Sequence, residues 1–405
     1  MKQRLLILLA VLSISFGSAG ALRGQGVWTT DTATGSNLGE GSQSCVLNGT
    51  IYVADGGSSS GLIDVFDPIA HVWSTLVPHD SRFRTVWSAN VIKDKIYLIL
   101  DSTEPLLLNQ VVVYDPLTNK LTVINTKGGF TSRELVTTAV VDNKLYVIGG
   151  DTGNFVPCNI LDVFDPASST WSTPITKGKF TARTGLASSV VDGKVYVMGG
   201  DTGHAYGGCN ILEVFDPSNN TWSTPITTGT FSERRYLTST ALNGKIYVMG
   251  GDSGGNITPV STIEVFDPST SHWSTPTTIG QMTRRFYLTS CALNGKIYAM
   301  GGYRPHGSLN INEVFTPTPQ LVESESSKNS IELSPNPTSG IITVRNAPQR
   351  IASVTALNVL GQSVFEDRNP HGSDFTLDLS RMSSGTYFLK LVSADGIVIQ
   401  KIVKR

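Results

Sequence analysis

Along this chain apolar and polar positions alternate in short bursts, and no stretch keeps the 3.6-residue period of an amphipathic helix. Between Leu186 and Ile226, "LASSVVD", "GKVYVMGG", "NILEVFD" and "TWSTPI" follow one another, joined by "DGK", a longer loop and "DPSNN". Alternation over such lengths, in segments rich in Val, Ile, Tyr, Thr and Trp, predicts four consecutive β-strands. Asp-Pro opens a tight turn, because proline presets φ and the Asp carboxylate accepts a backbone N–H ahead of it. The expected fold class is all-β, with few helices.

The four-strand pattern recurs. Aligned on the Tyr of "IYV" and its variants, units stand at Tyr52, Tyr97, Tyr146, Tyr196, Tyr247 and Tyr298, spaced by 45 to 51 residues, a period that signals propellers or solenoids. Each unit carries "VFDP" or a close variant, ending at Pro68, Pro116, Pro166, Pro217, Pro268 and Pro317. A Trp follows at Trp73, Trp171, Trp222 and Trp273, and Leu121 takes its place in the second unit. Val195, Val197, Val214 and Trp222 are expected to fill the gap between one sheet and the next, since a single sheet cannot bury such faces alone. Gly199 and Gly200 end a strand, where positive φ or close backbone approach is needed.

The sixth unit lacks its last strand, whereas "VWTTDTATG" from Val27 reads like "TWSTPITKG" from Thr170. The N-terminal strand is therefore expected to complete the last blade and close a ring, which removes the exposed edges of an open array. The alternative, an open β-solenoid, leaves that strand without a partner. The Gly doublet, the Tyr before it and the Trp after it resemble the kelch repeat over residues 25–318. The resemblance implies a six-bladed kelch-type β-propeller. The second unit departs from the pattern with "YLILDS" where the Gly pair belongs.

Both ends carry a different grammar. Lys2 and Arg4, an apolar run from Leu5 to Phe16 and small residues through Ala21 read as a secretory signal peptide over residues 1–21. No later segment is apolar enough to cross a bilayer, so the mature chain is expected to have no transmembrane segment. Near the other end, residues 319–329 have the polar composition of a linker. Beyond them, alternation at Val354, Ala356, Asn358 and Leu360, and at Phe375, Leu377 and Leu379, predicts a small C-terminal β-sandwich over residues 330–405. There "PNPTSG", "NVLGQ", "LDLS", "SGTYFLKL" and "KIVKR" are similar, in order and spacing, to the C-terminal sorting domain of the type IX secretion system of Bacteroidota. That resemblance implies the secretion machinery as a partner and a secreted or outer cell-surface location.

Charge narrows the function. With 31 basic against 32 acidic side chains, no nucleic-acid partner is expected, since that needs a net basic surface. The six His form no His-x-His pair and none recurs at one offset in two units, so no metal, cofactor or catalytic residue is assigned. The Asp of "GGD" at Asp151, Asp201 and Asp252 reads as a turn cap rather than a calcium ligand, because one carboxylate per loop is thin for that ion. Cys158 and Cys209 share one repeat position, and Cys45 and Cys291 another. These are the two disulfides the spacing suggests, against small buried thiols.

The strongest repeated polar feature is an Arg thirteen residues before the Tyr, at Arg84, Arg133, Arg183, Arg234 and Arg285. Two readings stand: each Arg bonds carbonyls or carboxylates of its own or the next blade, or the set forms a basic ring gripping acidic ligands at one channel mouth. Arg235, Tyr236, Arg284, Phe286 and Tyr287 add charge and aromatic faces beside it. The chain thus reads as a secreted or surface binding module for a glycan, peptide or protein rather than an enzyme. The alternative is an extracellular carbohydrate-active enzyme, an epimerase or oxidase, which would show an acid/base pair or metal cluster in one mouth.

Overall fold

A computed structural model describes residues 25–317 and 331–405, apart from 32–37, 55–61, 78–82, 103–109, 154, 204–206, 256, 348–350, 359–362, 368–371, 373 and 394–395. The leader expected at residues 1–21 and the linker at 319–329 lie outside the described residues. The described residues are all-β and contain no helix. They divide into two compact units, Gln25–Thr318 and Pro319–Arg405.

In the first unit each repeat folds into an antiparallel sheet. The fourth repeat pairs Ala187–Val191, Lys194–Met198, Leu212–Asp216 and Thr221–Ser223 in chain order. Five four-stranded sheets of this kind stand beside one of five strands. In the five-stranded sheet Gln25–Asp31 pairs antiparallel with Asn312–Pro317, Trp28 opposite Phe315, and Thr277–Ile279 adds in parallel. The register is that of Trp222 opposite Phe215 in the fourth sheet. Innermost strands touch in a circuit, with Gln43–Leu47 of the first sheet meeting both Phe83–Ile92 and Thr289–Leu293. The sheets are therefore the blades of a closed propeller.

Aromatic side chains hold the seams. The Phe of "VFDP" is fully buried and stacks against the Trp of its own outer strand, as in Phe66–Trp73, Phe164–Trp171, Phe215–Trp222, Phe266–Trp273 and Phe315–Trp28, at 4.9 to 5.2 Å between ring centroids. On its other side it meets the repeat Tyr of the preceding blade. Phe66 faces Tyr298, Phe164 Tyr97, Phe215 Tyr146, Phe266 Tyr196, Phe315 Tyr247, and Tyr114 faces Tyr52, at 5.9 to 6.4 Å. Tilted and edge-on pairs at such separations add about 0.5–1.5 kcal/mol each beyond area burial.

Within a blade, buried ion pairs brace the strand that enters the ring. The Arg183 guanidinium donates to Glu213 at 2.6 Å, to the Gly199 carbonyl at 2.8 Å and to that of Ile211 at 3.1 Å. Glu213 also accepts from the Thr181 hydroxyl at 2.8 Å, so one carboxylate ties the entering segment to the third strand. Arg133 and Asp162 pair at 2.6 Å, and Arg234–Glu264 and Arg285–Glu313 repeat the contact. All four Arg are at most 1% exposed. The Gly doublet completes the seam, with the Gly200 N–H donating to the Arg234 carbonyl at 2.9 Å and Gly150 to Arg183 at 2.8 Å. Gly199 has φ of 64°, and a Cβ there would stand 2.8 Å from that same carbonyl of Arg234, so no larger residue fits.

The second unit has a three-stranded sheet of Glu332–Ser334, Ile341–Arg345 and Phe375–Asp378, and a four-stranded sheet of Ser363–Asp367, Ile351–Leu357, Gly385–Ser393 and Gly396–Lys404. Ile342, Val344, Val354, Leu377, Leu389 and Ile402 make one core between them. The "PNPTSG" turn is strapped to the last strand: the Val403 N–H donates to Asn336 Oδ1 at 2.9 Å, and Asn336 Nδ2 donates to the Lys401 carbonyl at 2.7 Å.

Two stability predictions follow from the buried polar groups. Glu213→Gln leaves the Arg183 charge buried without its counter-ion and is expected to destabilise the propeller by about 3 to 5 kcal/mol. Much of that loss should return in the double variant Arg183→Met/Glu213→Leu, and a double-mutant cycle in urea in which the two losses simply add would refute the coupling. Asn312 occupies the position held by the buried Ile63, Val111, Leu161, Leu212 and Ile263 in the other blades, and neither end of its buried amide is hydrogen-bonded. Asn312→Leu should raise stability by about 1 to 3 kcal/mol, seen as a higher denaturation midpoint at unchanged slope; a lower midpoint would contradict it.

Candidate functional site

The inner strands of all the blades surround a cavity of about 620 Å³, within the range of small-ligand sites. Its wall is built by hydroxyls that bridge adjacent blades. Ser44 bonds Thr289 at 2.7 Å, Asn90 donates to Thr138 at 2.9 Å, Thr137 bonds Ser188 at 2.7 Å, Ser189 bonds Ser239 at 2.9 Å and Thr238 bonds Ser290 at 2.8 Å. Each pair joins two sheets, and together they leave polar edges facing the cavity. At the seam between the first two blades no such bond is described, and the buried Ser88 hydroxyl is unsatisfied.

Above the hydroxyls a backbone chain runs from blade to blade at the point where each inner strand begins. Gly185 N–H donates to the Leu135 carbonyl at 3.1 Å, Tyr236 to Gly185 at 2.7 Å, Tyr287 to Tyr236 at 3.0 Å and Gly41 to Tyr287 at 2.9 Å. Leu135, Gly185, Tyr236 and Tyr287 all adopt positive φ, between 51° and 60°. A side chain at Gly185 would collide with the Tyr236 ring, which lies 2.5 Å from the Cβ position.

Aromatic rings cluster at this mouth. Tyr236 and Tyr287 stack at 4.3 Å, Phe286 lies 5.1 Å from Tyr287, and Arg235 sits 5.1 Å over Tyr236. Burial, followed by the neighbouring Tyr236, raises the Tyr287 phenol well above its ordinary value. In the second blade the inner strand shifts register on both sides of Val86, a bulge that re-aims side chains. Trp87, at the position of the buried Leu186, Leu237 and Leu288, which also line the cavity, is half-buried there. Phe155, 78% exposed and at φ of 57°, borders the cavity from the loop after Gly150.

The expected basic ring is not presented to this cavity. The guanidiniums of Arg133, Arg183, Arg234 and Arg285 are buried against carboxylates and carbonyls of their own blades, because removing a charge from water demands such partners. Arg84 lies on Phe83–Ile92, and its side chain is outside the described residues. Arg235 bonds Asp201 at 2.5 Å and Asp252 at 3.1 Å. Burial opposes its charge, and these two bonds outweigh burial and hold its pKa above the ordinary value. Arg284 is exposed. The structure thus gathers Tyr236, Phe286 and Tyr287 with Arg235 and keeps Arg133, Arg183, Arg234 and Arg285 inside the blades.

The cysteines are free thiols in both suggested pairs. Cys209 lies beside the Arg183 guanidinium of its own blade and Cys158 near Arg133, and neither Cys158 nor Cys209 is bridged. Cys45 and Cys291 are fully buried on adjoining inner strands, also unbridged. Burial pushes the Cys291 thiol up to about 12 and that of Cys45 higher still, which keeps both protonated. Asp151 and Asp252 cap their turns: Asp151 accepts from the N–H of Gly153 at 2.7 Å and of Val156 at 3.0 Å, and Asp252 from that of Thr258 at 2.6 Å. Among the described residues no three His, Cys, Asp or Glu converge to hold a metal, and no helix is long and apolar enough to cross a membrane.

Two groups escaped the reading of the sequence. The acid before "VFDP", at Asp64, Asp162, Glu213, Glu264 and Glu313, recurs as regularly as the Arg, and that shared recurrence could have paired them. The hydroxyl eight residues before the Tyr, at Ser44, Thr138, Ser188, Ser239 and Ser290, was an equally periodic signal for the channel wall.

Comparison with known proteins agrees with this architecture. Segments of 101 and 152 residues align with two curated relatives: "Rab9 effector protein with kelch motifs" of Mus musculus at 36% identity, over 24% of this chain and 26% of that protein, and "Kelch-like protein 25" of Xenopus tropicalis at 30%, over 36% and 24%. "Kelch-like protein 23" of Homo sapiens is 32% identical over 26% of this chain and 18% of its own length. The chain therefore spans about a quarter or less of the curated relatives it matches. Residues 332–405 match the secretion system C-terminal sorting domain, which implies export and contact with the secretion machinery. Residues 87–302 match the KLHDC2/KLHL20/DRC7 kelch-repeats domain, more than half of the chain, and the protein belongs to the kelch-repeat family.

Proposed function

We propose that the propeller is a binding module, exported by its sorting domain, and that its ligand occupies the central cavity at the mouth bordered by Trp87, Phe155, Tyr236 and Tyr287. Residues 1–21 act as its leader, and residues 330–405 engage the type IX machinery, leaving the propeller secreted or at the cell surface. One observation carries the reading: a cavity of about 620 Å³ walled by hydroxyls and rimmed by aromatic rings, the mixture of apolar faces and placed polar groups by which small ligands are held. Phe155 supports it, since an aromatic ring 78% exposed at positive φ contributes no packing of its own.

The purified chain should bind at least one member of a panel of neutral and acidic glycans and basic and acidic peptides, one ligand per chain by titration calorimetry. Phe155→Ala should weaken that binding by about 0.5 to 1.5 kcal/mol, two- to tenfold, at unchanged thermal midpoint. Binding that ignores this substitution would place the ligand elsewhere; no binding across the panel would remove the proposal.

A further inference from the structure

We infer that the central cavity takes a sugar, whose hydroxyls meet the hydroxyls of the inner strands while its C–H face lies on the aromatic rim. This rests on the binding-module reading above and names the ligand class for the same cavity.

A hydroxyl carries one proton and two acceptor lone pairs, so the protons of the wall can be followed one by one. Ser189 and Ser239 share a single bond at 2.9 Å, which uses one of their two protons. Ser189 is buried and lies off the cavity, whereas Ser239 lines it. A buried donor left unbonded is costly, so Ser189 donates and the Ser239 proton turns to the cavity. At the next seam Ser290 bonds Thr240 at 2.5 Å and Thr238 at 2.8 Å. Thr240 is likewise buried off the cavity and donates for the same reason. Of the Thr238 and Ser290 protons one makes the remaining bond, and the other is left for the cavity that both residues line. Each cluster therefore offers a donor and acceptor lone pairs at one point. An ammonium or guanidinium group only donates and a carboxylate only accepts, whereas a hydroxyl does both. Hydroxyls on neighbouring carbons are what a sugar supplies.

The aromatic residues fit the same ligand. Tyr236 and Tyr287 stand three residues before Ser239 and Ser290, about 10 Å along an extended chain, so rings and hydroxyls form two successive layers. The stack of Tyr236 on Tyr287 stops at Gly41, whose N–H continues the backbone chain from the Tyr287 carbonyl. A Cβ at Gly41 would meet no atom of the described residues within 4 Å, so space remains beside the last ring. Trp87 and Phe155 border the same cavity. The faces of such rings are electron-rich and draw the C–H bonds that a sugar presents on one side, while its hydroxyls reach the layer below.

Calorimetric titration of the full chain with the methyl glycosides of glucose, galactose, mannose and N-acetylglucosamine tests this. At least one should bind, and Ser239→Ala and Ser290→Ala should each weaken it about two- to tenfold. Among its monodeoxy analogues one should bind the natural chain about two- to tenfold less tightly, yet lose nothing further against the alanine variant of the serine it meets. Ser290→Cys keeps the side-chain size with a weaker donor and gives the same reading if the alanine variant does not fold. Affinity that ignores both serines, or deoxy and serine losses that simply add, overturns the inference. The matching disaccharide binding at least as tightly assigns the source to the end of a glycan, and its exclusion assigns it to a free monosaccharide; both uphold the sugar. If a peptide binds and responds to Phe155→Ala while no glycoside does, this inference falls and the binding-module proposal stands. If nothing binds, both fall.

Discussion

The propeller depends on one contact made at every seam: an aromatic side chain on the third strand of a blade, fully buried between the outer strand of its own sheet and the repeat Tyr of the sheet before it. The position of that ring fixes both the distance and the angle between sheets, because stacked aromatic faces tolerate little sliding in a close-packed interior. It also explains why the N-terminal strand carries Trp28. Phe315 needs the same partner that Phe215 finds in Trp222, and only the other end of the chain supplies it. Ring closure is thus a packing requirement as well as a way to hide an edge.

The buried Arg–carboxylate pairs do a second job. They anchor the segment that enters each inner strand, and that segment sets where the mouth residues stand. In the fourth blade the Glu213 carboxylate holds Thr181 and Arg183 at once, two residues before Gly185 joins the backbone chain around the opening. A rigid strut under the rim lets exposed side chains such as Phe155 be displayed without themselves packing. The charges of the struts cancel inside the blades, so the electrostatics of the mouth are decided by the few side chains that remain outside.

The second blade is where the repeat relaxes, and its departures are related. Its acid is replaced by the buried Val112 and its Gly pair by Leu and Asp. Without the glycines and the carboxylate the entering strand is free to bulge, and Trp87 at the bulge is half-buried on the cavity wall where other blades place a buried Leu. In the first blade Asp64 keeps the acid's place without the Arg, and accepts the Thr75 hydroxyl at 2.6 Å, as Asp162 accepts that of Thr173 in the third. Irregular repeats beside regular ones are how a near-symmetric ring acquires a side that differs from the rest.

The all-β class, the kelch repeat and the sorting tail were legible in the sequence, because strand alternation, turn chemistry and a fifty-residue period are local or periodic signals. The candidate site was legible only in part. Tyr236, Phe286, Tyr287 and Arg235 could be grouped by spacing, and the structure does bring them together. Whether the recurring Arg faced solvent or a carboxylate could not be read from spacing alone, since both arrangements give the same period. Burial decides between them, and burial is set by how sheets stack: four guanidiniums at the inner rim are taken out of water, and the acids of the third strands answer them. Trp87 and Phe155 come from different repeats at unlike positions, and no periodic signal links them. Only the closed ring makes them neighbours of one cavity.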